Sequence, residues 1–178
     1  FVNDFDMFSV QRDYLGRVLA GGYRLPKGYT EFGDHVDTIR RVLADRPDGT
    51  VACNNDLLAA NFIDDGQDVR LIDYEYAGNN DPCFELGNIW SECHLTDAQL
   101  EHLVTCYYGR PRPSRVARAR LHGLMSQYGW TLWASIQDAM SSIDFDYWSW
   151  GMEKYERAVA TFRSRELDAL IEQAVRDS

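Results

Sequence analysis

The 178-residue chain contains only four cysteines and four histidines, and neither set has the spacing of a disulfide framework or a zinc site. Cys53, Cys83, Cys93 and Cys106 include no C-x-x-C pair, and a chain of this length can bury a full core without disulfides. We therefore expect reduced thiols in a cytoplasmic protein, and histidines that lie on the surface or are satisfied by neighbours.

Excess positive charge and long apolar runs are also missing. The formal net charge is −10, which disfavours nucleic acid or an anionic membrane surface as a partner because both would repel the chain. No apolar run approaches the roughly 20 residues of a membrane-spanning helix, and the start at Phe1 has no basic signal-peptide region. The negative charge fits a small cationic ligand, although surface carboxylates often serve only to solvate a protein.

A glycine-rich phosphate loop is absent, but two short acidic segments have the spacing of a phosphoryl-transfer site. Asp56 and Asn61 form the D-x-x-x-x-N pattern of a kinase catalytic loop, and Asp73 ends an apolar run. Mg²⁺ prefers oxygen ligands, and one carboxylate must stay free of metal to orient the attacking hydroxyl. The pattern predicts Asp56 as the base and Asn61 and Asp73 as Mg²⁺ ligands. A hairpin rich in turn residues is the alternative explanation for the first segment alone.

Hydrophobic periodicity predicts a mostly α protein with a small β-hairpin. We treat it as one domain: residues 1–50 form a helical scaffold, 51–94 the catalytic and metal segment, and 95–178 a helical substrate-binding subdomain. The hairpin should bring Asn61 and Asp73 to the same end of adjacent strands. The arginines between positions 110 and 120 are expected on a solvated helix face. The predicted helices cover residues 4–20, 30–44 (ended by Pro47-Asp48-Gly49), 82–94, 96–108, a long stretch around 130, and 152–175.

The run from Cys53 to Glu92 resembles the signature of the choline/ethanolamine kinase family, a branch of the aminoglycoside-phosphotransferase and protein-kinase-like superfamily. Three blocks occur in order and at the expected separations. Two positions depart from the family: Asn54 stands where His is usual, and Glu85 where Asp is common. We expect Asn54 to be a structural residue of the loop. The matching blocks are Asn55-Asp56-Leu57-Leu58 with Asn61-Phe62-Ile63, Leu71 to Gly78, and Asn80-Asp81 with Phe84 to Asn88.

The resemblance implies a protein-kinase-like C-terminal lobe, with the N-terminal nucleotide-binding lobe absent from this chain. It implies ATP and Mg²⁺ as cofactors and the hydroxyl of choline as the phosphoryl acceptor. The chain alone is then expected to be inactive, and to dimerise or associate with the missing lobe. Two alternatives stay open: a phosphotransferase for ethanolamine, another amino alcohol or an aminoglycoside, and a lobe that only binds a ligand or partner.

Four of the five tryptophans fall between positions 130 and 150. Trp130 and Trp133 share one helix face, and Trp150 follows a turn. A tryptophan-rich core is one explanation. The other is an aromatic cage for a quaternary ammonium, which binds through ring faces. The resemblance assigns these three tryptophans to the cage, with Glu92 as its carboxylate, and on this ground we prefer choline to ethanolamine. From the sequence alone, Glu92 is an exposed helical residue.

Two further acidic residues have open roles. Glu75 either supports the metal shell or pairs with a nearby cation. Asp81 precedes Pro82 at a predicted helix start, where an N-cap is its default role, and the resemblance adds a contribution on the substrate side.

Overall fold

A computed structural model describes residues 1–45 and 49–176. In this part of the chain, helices dominate and the strands are short, so the predicted mostly α fold with a β-hairpin is confirmed. The predicted helix end at Pro47-Asp48-Gly49 falls largely outside the described residues. The elements are α1 (Met7–Gly21), α2 (Gly33–Ala44), β1 (Val51–Cys53), β2 (Phe62–Asp64), β3 (Val69–Leu71), β4 (Gly78–Asn80), α3 (Pro82–Glu92), α4 (Asp97–Tyr108), α5 (Pro113–Met140), α6 (Tyr147–Phe162) and α7 (Arg165–Ala174).

Helix α5 runs through the middle of the molecule, with α1, α3, α6 and α7 packed around it. Its 28 residues are buried on nearly every side from Ala117 to Ser135, which is the expected position for a helix without a continuous polar face. Helices α3 and α5 approach most closely at Gly87 and Gly123. A Cβ atom added to Gly87 would lie 2.0 Å from the carbonyl oxygen of Ala119. Only glycine permits this crossing.

Two small antiparallel sheets position the segment between α2 and α3. Strands β2 and β3 form the predicted hairpin, with Phe62 opposite Leu71 and Gly66 in the left-handed region at φ 85°. Strands β1 and β4 form a second ladder, with Cys53 opposite Gly78. The sequence did not predict β4, because Gly and Asn are poor strand formers.

Two helix boundaries differ from the predicted ones. The helix expected over 152–175 is two helices, because α6 ends at Phe162 and the Ser164 hydroxyl accepts a hydrogen bond from the backbone N–H of Glu166 at the start of α7. The helix expected from Thr30 begins as a 3-10 turn over Tyr29–Phe32. No helix in the described ranges is long and apolar enough to cross a membrane.

The expectation of a solvated arginine face is wrong for Arg118, whose side chain is 1% exposed. Its guanidinium donates hydrogen bonds to the carbonyl oxygens of Val42, Leu43 and Asp45, at the C-terminal end of α2. The last carbonyls of a helix lack intrahelical partners, so a buried arginine can satisfy them. Arg118 also forms an ion pair with Asp81 at 3.2 Å, and thereby joins α2, α3 and α5.

Candidate active site

Asn54 joins the two acidic segments through its side chain. Its amide nitrogen donates to the backbone carbonyl of Asp73 at 2.7 Å, and its amide oxygen accepts from the backbone N–H of Asp56 at 2.9 Å. Its own backbone N–H donates to the Glu85 carboxylate at 2.7 Å. The side chain that replaces the family's usual His therefore fixes the position of Asp56 relative to Asp73 through neutral hydrogen bonds.

The loop between β1 and β2 holds one residue, Asn55, in the left-handed region at φ 68°. This conformation is uncommon for a residue other than glycine, and Asn tolerates it better than most. The Asn55 side chain donates to the carbonyl of Tyr76 at 3.0 Å and accepts from the Asn80 amide at 2.8 Å. Its backbone N–H donates to Glu85 at 3.0 Å. These contacts stabilise the turn that presents Asp56.

Asn61 and Asp73 meet at the open end of the hairpin. The Asn61 amide nitrogen donates to the backbone carbonyl of Asp56 at 2.8 Å, and the Ile72 N–H donates to the carbonyl of Asn61 at 2.9 Å. The carboxylate of Asp73 is exposed and accepts from the Glu75 N–H at 3.4 Å.

An amide oxygen and a carboxylate at one hairpin end are hard ligands of the kind Mg²⁺ takes. The described residues contain no cluster of three or more His, Cys, Asp or Glu that could hold a metal ion. That Asn61 and Asp73 are the protein ligands of such an ion stays a prediction.

The carboxyl group of Asp56 is half-buried, and its pKa is raised to about 6. Burial is the main cause, and the charges of Glu92 and Asp73 add to it, whereas Lys154 acts in the opposite direction. A carboxyl group with a pKa near neutrality can accept a proton from an attacking hydroxyl more effectively than an ordinary aspartate.

A small cavity of about 40 Å³ opens beside Asp56, and aromatic rings form most of its wall. The ring planes of Trp133 and Trp150 are inclined at 67°, and their centroids are 5.7 Å apart. The ring centroids of Tyr76 and Trp130 are 5.0 Å apart. Trp130 is also part of the hydrophobic core, so the core explanation holds for this residue, and its role in a cage stays a prediction. Leu58 and Tyr76 were not predicted from the sequence. The lining residues are Asp56, Leu58, Tyr76, Glu92, Trp130, Trp133 and Trp150.

Glu92 is buried, contrary to its appearance as an exposed helical residue in the sequence. Its Oε2 atom lies 2.5 Å from Nζ of Lys154, which is also buried. The same ammonium lies 4.1 Å from the centroid of the Trp150 ring. Sequence reasoning missed Lys154, although its place four residues after Trp150 puts both on one face of α6.

The remaining two acidic residues lie outside this cavity. Glu75 is exposed, and no cation in the described ranges forms an ion pair with it. The Asp81 carboxylate accepts from the Cys83 N–H at the start of α3 and pairs with Arg118 and His122. Burial acts to raise the pKa of Asp81, but these hydrogen bonds and charges outweigh it and hold that pKa well below its usual range. Asp81 thus stabilises the scaffold.

Comparison with known proteins shows what this chain resembles. The choline/ethanolamine kinase family model matches residues 26–107. A crystal structure of a choline/ethanolamine kinase family protein from Mesorhizobium loti is 30% identical, with a TM-score of 0.87 over 98% of this chain and 59% of that one. The chain is thus similar in sequence and in fold to the choline/ethanolamine kinase family.

Further relatives show the same similarity. Human ethanolamine kinase 2 is 33% identical in an alignment 128 residues long that covers 60% of this chain and 33% of the relative. Choline kinase LicA from Streptococcus pneumoniae shares the fold, with a TM-score of 0.74 over 91% of this chain and 56% of that one at 24% identity. LicA has also been solved in complex with AMP. The chain spans about a third of the curated relatives' length, and its fold is that of a kinase-like C-terminal lobe.

Proposed function

We propose that this chain supplies the catalytic and acceptor-binding residues of a kinase that transfers the γ-phosphoryl group of ATP to the hydroxyl of a small cationic alcohol, choline or ethanolamine. One observation carries the proposal: the half-buried carboxyl of Asp56 borders a cavity walled by tryptophans and Glu92. Asn61 and Asp73, bonded to the same loop, lie at the adjoining hairpin end.

The proposed mechanism divides the work between these residues. Asp56 orients the acceptor hydroxyl and takes its proton as the oxygen attacks the γ-phosphorus, while the bond from that phosphorus to the β–γ bridging oxygen breaks and ADP leaves. Asn61 and Asp73 hold Mg²⁺, which when bound neutralises charge on the phosphates. Ile63 and Ile72, both exposed on the hairpin beside them, offer an apolar surface to the nucleotide base.

Tryptophan rings and a carboxylate support a cationic acceptor. A quaternary ammonium makes no strong hydrogen bond, so it is recognised by ring faces worth about 0.5–2 kcal/mol each. This mode of recognition supports choline as the acceptor. The names of several relatives, human ethanolamine kinase 2 among them, support ethanolamine instead.

The test is transfer of labelled γ-phosphate from ATP, with the native full-length protein and with choline, ethanolamine and an aminoglycoside as acceptors. In W133A the loss of one cage ring should raise KM for the cationic alcohol by roughly 3- to 30-fold, with kcat largely retained. W148A is the matched control, because Trp148 packs against Arg24 at 3.8 Å and does not line the cavity. Absence of transfer to any amino alcohol, or an equal KM in W133A and wild type, would contradict the proposal.

A further inference from the structure

Glu92 in the cavity wall forms a buried ion pair with Lys154, a residue that the proposed mechanism does not use. Glu92 and Lys154 are both buried, and their charged atoms lie 2.5 Å apart. Taking two charges out of water is costly, and an apolar pair of similar volume is often no less stable. Stability alone therefore does not explain why this buried ion pair is present. One of its members, Glu92, lines the cavity where a cation would bind.

Lys154 donates a hydrogen bond to only one of the two carboxylate oxygens of Glu92. The Oε2 atom of Glu92 accepts from the lysine, whereas Oε1 is buried and has no hydrogen-bond partner among the residues that the structure describes. A buried carboxylate oxygen without a donor is costly, and such atoms are rare in folded proteins. Because Glu92 lines the cavity, a ligand in that cavity with an N–H group can supply the missing donor.

Lys154 also covers one face of an aromatic ring that lines the cavity. Its ammonium lies over the Trp150 ring, 4.1 Å from the centroid, although Lys154 itself is not among the residues that line the cavity. One face of Trp150 is therefore already in a cation–π contact, and at most the opposite face remains for a ligand. The lysine positive charge also reduces the net attraction of Glu92 for a second cation.

We propose that Lys154 is a specificity-determining residue: by neutralising Glu92 and occupying one of its oxygens, it makes the cavity favour a cation with N–H donors over a quaternary ammonium. This inference rests on the proposed function. Glu92 then recognises the acceptor by accepting a directional hydrogen bond at Oε1, because Lys154 compensates its negative charge. An ethanolamine-type ammonium can donate that bond, and a trimethylammonium group cannot.

The experiment is calorimetric titration of the full-length protein with ethanolamine, N,N-dimethylethanolamine and choline, which share the hydroxyl and differ in the number of N–H donors. We expect the wild type to bind ethanolamine roughly tenfold or more tightly than choline, because a hydrogen bond to a charged group is at stake. K154M removes both the lysine charge and its hydrogen bond. Its uncompensated carboxylate should attract either cation, so the ratio of the two dissociation constants should fall toward one.

Two further variants separate charge from folding. K154Q keeps a donor for Oε2 but carries no charge, so it should also reduce the preference for ethanolamine over choline. If K154M does not fold, K154Q alone tests the role of Lys154. K27M is the matched control, because Lys27 is exposed and lies outside the cavity, and it should keep the wild-type ratio.

The outcomes distinguish the inference from the function on which it rests. If the wild type binds neither amine, the proposed function fails and the inference fails with it. If the wild type binds amines but prefers choline, or if a folded K154M or K154Q keeps the wild-type ratio, the role of Lys154 is wrong and the proposed function stands.

Discussion

Among single residues, Asp56 shows most clearly how a property that suits the proposed chemistry can lower the stability of the fold. Among the described residues, no hydrogen bond reaches its carboxylate, and burial together with Glu92 and Asp73 raises its pKa to about 6. A carboxyl whose folded-state pKa lies above its value in the unfolded chain makes the fold less stable as pH rises through that range. Asp56 is therefore suited to accept a proton and costs stability at neutral pH.

The substitution D56N should stabilise the chain at pH 7–8 by on the order of 1 kcal/mol, because Asn cannot ionise and the site is partly screened by solvent. The gain should be much smaller at pH 4, where the wild-type carboxyl is protonated in the folded state and about half protonated in the unfolded chain. Urea unfolding at both pH values measures it. D68N, at an exposed residue of the hairpin turn, is the control and should change neither value. A D56N variant less stable than wild type at pH 8 would contradict the assigned cause.

The family resemblance predicted which side chains the structure brings together at the cavity, but not their surroundings. Asp56, Glu92 and the three tryptophans line one cavity, as the resemblance implied. The burial of Glu92 could not be predicted, because its partner Lys154 is 62 positions away in the chain and no local pattern connects them. The same holds for Arg118, which sequence reasoning placed on a solvated face.

Among the elements, the crossing of α3 and α5 decides where the site lies. Helix α3 carries Asn88, whose side chain accepts from the backbone N–H of Leu57 at 2.7 Å, and Glu92, which lines the cavity. Gly87 and Gly123 allow α3 to lie directly against α5. The position of α3 thus fixes one wall of the cavity and one side of the catalytic loop.

G87A should lower the free energy of unfolding by about 2 kcal/mol or more, because its new Cβ would meet a backbone carbonyl that cannot move without displacing α5. G16A is the matched control: Gly16 lies within α1 with nothing within 4 Å of an added Cβ. It should raise that free energy by about 0.5–1 kcal/mol. Chemical denaturation of both variants tests the crossing, and equal stability of G87A and wild type would contradict it.

The sequence predicted elements well where hydrophobic periodicity was strong and turn residues were clear, as in α1 and the hairpin. It failed where a tertiary contact overrides local preference. Strand β4 is Gly-Asn-Asn, and it pairs with β1 because the catalytic loop brings the two segments together. The break between α6 and α7 had a local signal, Ser164 followed by acidic residues, that a continuous apolar pattern obscured.

For the molecule as a whole, the side that carries the strands exposes apolar residues. Val51, Ile63, Val69, Ile72 and Tyr74 are all at least 38% exposed. An apolar surface of this kind is typical of a region that another domain or chain covers. That the chain dimerises or pairs with a nucleotide-binding lobe stays a prediction, as does the division into residues 1–50, 51–94 and 95–178.

The central claim is the division of labour between Asp56, which acts on the acceptor, and Asp73, which holds the metal. The most direct test is the rate of phosphoryl transfer as a function of Mg²⁺ concentration in full-length wild type, D56N and D73N. D56N should lower the maximal rate by roughly 10²- to 10⁴-fold and leave the half-saturating Mg²⁺ concentration unchanged. D73N should raise that concentration several-fold or more, because one oxygen ligand loses its charge. Full activity in either variant, or a shift in the Mg²⁺ requirement with D56N and none with D73N, would contradict the account.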